Sequence, residues 1–237
     1  MLIYACDSTA QTASVAICSD DVLLAQYTQN NGNTHSETLL PMTETMLKAN
    51  NTDIDDVDLF ACSAGPGSFT GVRIGAATLK GLAYGKDKPC VAVSTLEALA
   101  MNLVCDEGKR LICPVMDARR GQVYTATFIC RDGKLERLTP DRAISFEEFF
   151  SDALKYGMKL WLCGDGYSLV KKKLPADAAH DTPELLRYQS AYSVAQAALA
   201  EYKRGNFTTD RELRPVYLRL SQAERERLDA EKSKNDN

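Results

Sequence analysis

One stretch constrains this chain more than any other. Between residues 57 and 85 an apolar run of strand length, Leu59 to Ser63, turns at Gly65-Pro66-Gly67 into a segment whose apolar residues, Val72, Ile74, Leu79 and Leu82, keep helical spacing. Ser68 or Thr70 can cap that helix, because a hydroxyl accepts from the unpaired N–H groups of a first helical turn. A strand, a glycine turn and a helix N-terminus in succession form the local geometry that binds phosphate. Two common phosphate motifs are excluded. No register yields Gly-x-x-x-x-Gly-Lys-Ser/Thr, and Thr70 stands where the third glycine of Gly-x-Gly-x-x-Gly belongs. Gly67, Gly71 and Gly75 instead recur every four residues, with Gly81 and Gly85 beyond. A glycine inside a helix costs about 1 kcal/mol relative to alanine. Several of them predict that another backbone comes close, either a neighbouring element of the same chain or a second chain.

Upstream, Leu2 to Cys6, Ala13 to Cys18 and Val22 to Tyr27 read as three strands of an antiparallel meander. Residues 28 to 38 are polar and read as a loop. Leu39, Leu40, Thr43, Met46 and Leu47 then keep helical spacing, with Pro41 starting or kinking the helix. Pro89 to Val93 reads as a further strand and Thr95 to Val104 as a helix. A meander entering right-handed crossovers predicts a mixed sheet with helices packed on it.

The opening pattern then returns. Leu111 to Asp117 is an apolar strand ending in Asp, as Leu2 to Asp7 is, and Gln122 to Cys130 alternates and ends in Cys, as Ala13 to Cys18 does. Arg131-Asp132-Gly133-Lys134 turns the chain into Leu135 to Leu138. The two aspartates lie 110 residues apart and the two cysteines 112, so one two-residue difference in a loop reconciles the copies. The second copy goes on to a helix, Phe146 to Leu154, capped by Ser145 with Glu148 three residues on. A strand from Lys159 to Cys163 enters Gly164-Asp165-Gly166, and an alanine-rich helix runs from Tyr192 to Tyr202. The expected division is a first lobe over residues 1–105, a second over 106–211, an extended segment over 212–222 packing back, and a charged tail over 223–237.

A formal net charge of −4 makes the chain a poor candidate to grip a polyanion unaided. Arg119-Arg120 and Lys171 to Lys173 read as solvated clusters or as an auxiliary nucleic-acid contact. The eight cysteines include no Cys-x-x-Cys pair and mostly lie in apolar runs, as buried reduced thiols do. Asp7 breaks the N-terminal apolar run, and no stretch approaches the ~20 apolar residues of a membrane span, so a cytoplasmic protein without membrane contact is expected. No Gly-x-Ser-x-Gly elbow is present, and neither His35 nor His180 has a ligand-type neighbour, which leaves nothing to carry peptide hydrolysis.

The thirteen residues Ser63-Ala64-Gly65-Pro66-Gly67-Ser68-Phe69-Thr70-Gly71-Val72-Arg73-Ile74-Gly75 resemble the signature of the TsaB family, formerly YeaZ, and Arg214 to Arg219 resembles its C-terminal motif. The duplicated unit is similar to the actin, Hsp70 and sugar-kinase superfamily. The resemblance implies an α/β fold of two ribonuclease H-like lobes of the actin/Hsp70 (ASKHA) type, the second divergent. It implies a non-catalytic partner of TsaD in forming N6-threonylcarbamoyladenosine at the adenosine next to the anticodon of tRNA. It further implies that the ATPase TsaE joins, that tRNA is met only through the complex, and that the chain alone is a homodimer. The pairing surface then falls on the two first-lobe helices, with His35, Leu40, Phe69, Thr70, Gly71, Val72, Arg73 and Gly75 as interface residues. No metal and no cofactor of the chain's own is implied, with ATP or ADP admitted only at a shared interface.

The resemblance also sets Asp7 and Asp117 where superfamily ATPases hold metal and phosphate. A glycine hairpin follows the first acid there, but Ser8-Thr9-Ala10-Gln11 follows it here, so the two acids either cap strand ends or mark a vestigial nucleotide site. TsaD carries a His-x-x-x-His metal pair where this chain has Thr95 and Leu99, which cannot hold a transition metal. The rival expectations are an ATP-dependent enzyme of the sugar-kinase superfamily and, from an older label for the group, a glycoprotease-like peptidase.

Overall fold

A computed structural model describes residues 1–219 of the chain. The first sheet is built from β1 (Leu2–Asp7), β2 (Ala13–Ser19), β3 (Val22–Gln29), β4 (Leu59–Ser63) and β5 (Cys90–Val93), in the order β3-β2-β1-β4-β5. The meander pairs antiparallel, and β4 and β5 add parallel strands. Helices α1 (His35–Ala49) and α2 (Phe69–Ala83) make the crossovers, and α3 (Thr95–Met101) leads out. The second lobe holds β6 (Lys109–Arg119), β7 (Gln122–Thr125), β8 (Phe128–Arg131), β9 (Lys134–Arg137), β10 (Arg142–Ser145), α4 (Phe146–Leu154), β11 (Leu160–Cys163) and α5 (Tyr167–Lys171). Helix α6 (Ala191–Lys203) follows.

The repeat read from the sequence is visible as topology. Strand β6 stands between antiparallel partners and the parallel β11, as β1 stands between β2 and β4. The expected single strand from Gln122 to Cys130 divides into β7 and β8, which keep one register on β6, Val115 opposite Thr125 and Ile112 opposite Phe128. The gap lies beside Pro114, which has no N–H to give the ladder. The equivalent of α2 shrinks to the five residues of α5. Ser145 caps α4 as expected, accepting from the Glu148 N–H.

Two boundaries move. Helix α1 starts at His35, so the polar stretch from residue 28 is loop only to Thr34, and Pro41 sits inside the helix. Helix α3 stops at Met101 instead of reaching Val104.

The first sheet is covered on both faces, which explains its apolar strands. Tyr4, Val15, Ile17 and Phe60 pack under α1 and α2 with Leu39, Met46, Ala76 and Leu79. Ile3, Ala5, Ala16, Leu59 and Ala61 face the other way, onto Val194, Ala195 and Ala198 of α6. A second lobe drawn over 106–211 includes α6, yet that helix covers the first sheet. Between the lobes, Leu96 and Leu99 of α3 pack with Ile112, Met116 and Phe128.

Candidate functional site

The site is the cleft between the lobes together with the helix face beside it. Strand β1 ends in Asp7, 1% exposed, and both carboxylate oxygens are already in use. Oδ1 accepts from the Thr9 N–H at 2.8 Å and the Thr9 hydroxyl at 2.7 Å, and Oδ2 accepts from the Ser63 hydroxyl at 2.5 Å. Burial pushes the carboxyl above its ordinary range, against the pull of these donors. Asp7 therefore folds the loop after β1 and ties it to β4. Of the two readings offered by the sequence for Asp7, these bonds describe the strand-end cap.

The folded loop lies along the N-terminal half of α2. Thr9 O accepts from Ser68 N–H at 2.7 Å, and the Ser8 hydroxyl donates to Gly71 O at 2.8 Å. A Cβ on Gly67 would stand 2.5 Å from Thr9 O, one on Gly71 2.0 Å from Ser8 O, and one on Gly75 2.7 Å from Ser8 Oγ. The close neighbour that the glycines predicted is the chain's own loop. Gly71, Gly75 and Val72, 1% exposed, are thereby corrected: they are packing positions facing inward, not contacts for a second chain. His35 also belongs to this packing. Its Nε2 meets Ala10 O at 2.6 Å, which fixes the start of α1 on the loop.

The C-terminal segment straps the cleft. Val216 N–H donates to Ala64 O at 2.7 Å. Gly65 has φ +116°, and a Cβ there would stand 2.3 Å from Val216 O, so only glycine lets the strap pass. Tyr217 packs on Phe69 with ring centroids 4.8 Å apart. The Arg73 guanidinium lies 4.0 Å over the Phe69 ring, and its Nε donates to the Tyr217 hydroxyl at 2.9 Å. Arg219 reaches across to Ala118 O on β6. Phe69 and Arg73, expected at a partner interface, hold this strap. Tyr217 was missed as a site residue, although the likeness of Arg214 to Arg219 to a family motif pointed at it.

What remains of the cleft is about 530 Å³, lined among others by Gln11, Ser68, Asp117, Arg120, Asp165 and Tyr217. Asp117 accepts from Arg119 through its backbone N–H at 2.7 Å and its guanidinium at 3.0 Å. Asp165 Oδ1 accepts from the Asp117 N–H at 3.3 Å. Burial, with the like charge of Asp117, moves the Asp165 carboxyl from 3.8 up to about 6. A raised carboxyl favours the folded state when protonated, so its contribution is whole below about pH 4 and is lost as pH rises to about 6. Asp165→Asn is expected to flatten stability across that window and to stabilise the fold at neutral pH by no more than about 1–2 kcal/mol, the group being only half-buried. Denaturant titrations at several pH values check this, and an unchanged pH profile would refute it.

The outer face of α2 is different in kind. Thr70, Arg73, Ala77, Gly81 and Tyr84 are exposed at helical spacing, and Leu40 of the neighbouring α1 is 51% exposed. Tyr84 is 73% exposed, and a Cβ on Gly81 would meet nothing. Thr95 and Leu99, by contrast, are buried on α3. Among the described residues no three His, Cys, Asp or Glu side chains gather as metal ligands, and no helix is long and apolar enough to cross a membrane.

Comparison with known proteins matches residues 23–226 to the family model described as TsaD: tRNA N6-adenosine threonylcarbamoyltransferase. The tRNA threonylcarbamoyladenosine biosynthesis protein TsaB of Bacillus subtilis (strain 168) is 31% identical over 233 residues, covering 98% of this chain and all of that one. The solved structure of YeaZ from Pseudomonas aeruginosa superposes with a TM-score of 0.79 at 26% identity, covering 92% of this chain and 99% of that one. The ethanolamine utilization protein EutJ from Carboxydothermus hydrogenoformans, at TM-score 0.51 and 11% identity over 83% of this chain and 90% of that one, shares the fold alone. The fold is accordingly two-lobed and of the actin/Hsp70 type.

Proposed function

This chain belongs to the TsaB family, and from that premise we propose that it serves tRNA threonylcarbamoyladenosine formation as a non-catalytic partner of a TsaD-type transferase. The observation that carries the proposal is the outer stripe of α2, where an open Gly81 lies between Ala77 and Tyr84, with Leu40 exposed on the neighbouring α1. A glycine exposed in a helix is kept at a cost of about 1 kcal/mol, and close approach by another chain repays it. Leu40, Thr70 and Arg73 remain from the interface expected in the sequence, now joined by Ala77, Gly81 and Tyr84. Two copies using this stripe form an isologous homodimer that excludes the transferase. A TsaE-type ATPase joins the heterodimer, and tRNA is met through the complex. The locked Asp7 and the buried Thr95 and Leu99 support a chain that leaves the chemistry to its partner.

Gly81→Leu is the direct test. It removes a helix glycine and is expected to stabilise the isolated chain by up to about 1 kcal/mol while abolishing co-purification with the transferase. Retained pairing by a folded Gly81→Leu variant would refute the stripe.

The cleft itself favours a second reading, an ATP-dependent enzyme, because Asp117, Asp165 and Arg120 line it. Calorimetric titration with Mg-ATP separates the two. Binding with turnover by the isolated chain would support the enzyme.

A further inference from the structure

Cys105 lies on the crossing between the lobes, after α3 and before β6, and Cys130 lies on β8. Their sulfurs are 3.9 Å apart. The contact is held by backbone. Cys105 N–H donates to Cys130 Sγ at 3.4 Å, the Cys130 thiol donates to Cys105 O at 3.6 Å, and Gly133 N–H donates to the same oxygen at 2.8 Å. Asp132 N–H donates to Gly108 O at 3.3 Å, closing the crossing onto the β8–β9 turn. Of the eight cysteines, Cys105 is the one that is not buried. Cys6 and Cys62 are also partners in register, but neither has any exposed surface.

We propose that Cys105 and Cys130 are a redox pair that a peroxide-class oxidant converts to an intramolecular disulfide. The Cys105 sulfur attacks the peroxide oxygen, giving a sulfenic acid and one water. The Cys130 sulfur then attacks the Cys105 sulfur and expels the hydroxyl as a second water. Two thiols and one hydrogen peroxide become one disulfide and two waters, the sulfurs losing the two electrons that the peroxide gains. The sulfurs must close from contact to a bond of about 2.0 Å by side-chain rotation, starting from a Cys130 thiol that already hydrogen-bonds the Cys105 backbone. Burial and the neighbouring Cys130 hold the Cys105 thiol above its ordinary range, so the first step is slower than at an activated thiolate. Such a bond is suited to oxidative stress more than to resting conditions. It would tie the crossing between the lobes covalently to β8.

The test exposes the native full chain to excess hydrogen peroxide, blocks free thiols and maps peptides without reduction. The expected result is one Cys105–Cys130 cross-link within a single chain, reversed by dithiothreitol, with a rise in Tm on the order of 5–10 °C from a closed loop of this length. Cys105→Ser abolishes the cross-link. Cys130→Ser leaves a sulfenic acid at Cys105 that dimedone traps. Cross-links between chains through Cys105, Cys105 recovered reduced, or sulfinic acid formed there without a disulfide would each overturn the proposal. The wild-type map decides even if the buried Cys130→Ser variant fails to fold.

Discussion

Alanine at Gly71 is expected to destabilise the folded chain by about 3 kcal/mol or more, while the same replacement at Gly81 stabilises it by up to about 1 kcal/mol. The two sites share a helix and a residue type, so intrinsic propensity favours alanine at both. The surroundings decide. At Gly71 the new methyl would stand 2.0 Å from the Ser8 carbonyl oxygen, whereas at Gly81 it meets nothing. Ser8 cannot retreat cheaply, because Asp7 grips Thr9 on one side and Thr9 O holds Ser68 N–H on the other. Accommodating the methyl means lifting the loop or the first turn of α2, with loss of those bonds. Urea denaturation of the two variants gives the signs directly. Equal, small effects would mean that the loop yields and that the glycine strip has another reason.

Asp7→Ala is expected to cost about 3 kcal/mol, and Asp7→Asn close to nothing, because the first leaves three donors facing apolar space and the second keeps an acceptor for Thr9. The donors are the Thr9 N–H, the Thr9 hydroxyl and the Ser63 hydroxyl. The asparagine also removes a buried charge. Burial raises the Asp7 pKa, so its contribution to stability is whole below the unfolded-state value and is lost as pH rises through the folded one. Asparagine should therefore gain on the wild type as pH rises. A structural Asp7 predicts that the Asn variant supports wild-type levels of threonylcarbamoyladenosine in tRNA, read by mass spectrometry in cells depleted of the native protein. A folded Asn variant that fails there would restore a chemical role for the carboxylate.

Much of the first lobe was legible because its signals are local. Strands β1 and β4 and helix α2 fall where apolar periodicity, the Gly65-Pro66-Gly67 turn and the Ser68 cap place them, Ser68 accepting from the Gly71 N–H. The repeat was legible because an Asp-ending strand and its hairpin recur with nearly constant spacing. Helix α1 was shortened in the reading because Pro41 resembles a first-turn residue, although the six residues before it are helical too. The strip of glycines announced a close neighbour but not its identity. Ser8 is 63 residues from Gly71 in the chain, and nothing in either segment alone records that they touch. The same holds for Tyr217 on Phe69 and for α6 beneath the first sheet. Partners distant in sequence are set by the fold as a whole, which is why six of the eight expected interface residues turned out to pack inward, as Gly71, Val72, Gly75 and His35 do, or to hold the strap, as Phe69 and Arg73 do.

The return of α6 has an effect on how this molecule can be divided. The stretch that recurs ends near residue 105, but the stretch that can stand in water does not. Cut there, the leading piece would bare Ile3, Ala5, Ala16, Leu59 and Ala61, a continuous oily wall with nothing to shield it. The two repeats are interleaved through α6, so the leading one cannot be encoded apart from the rest of the chain without baring that wall.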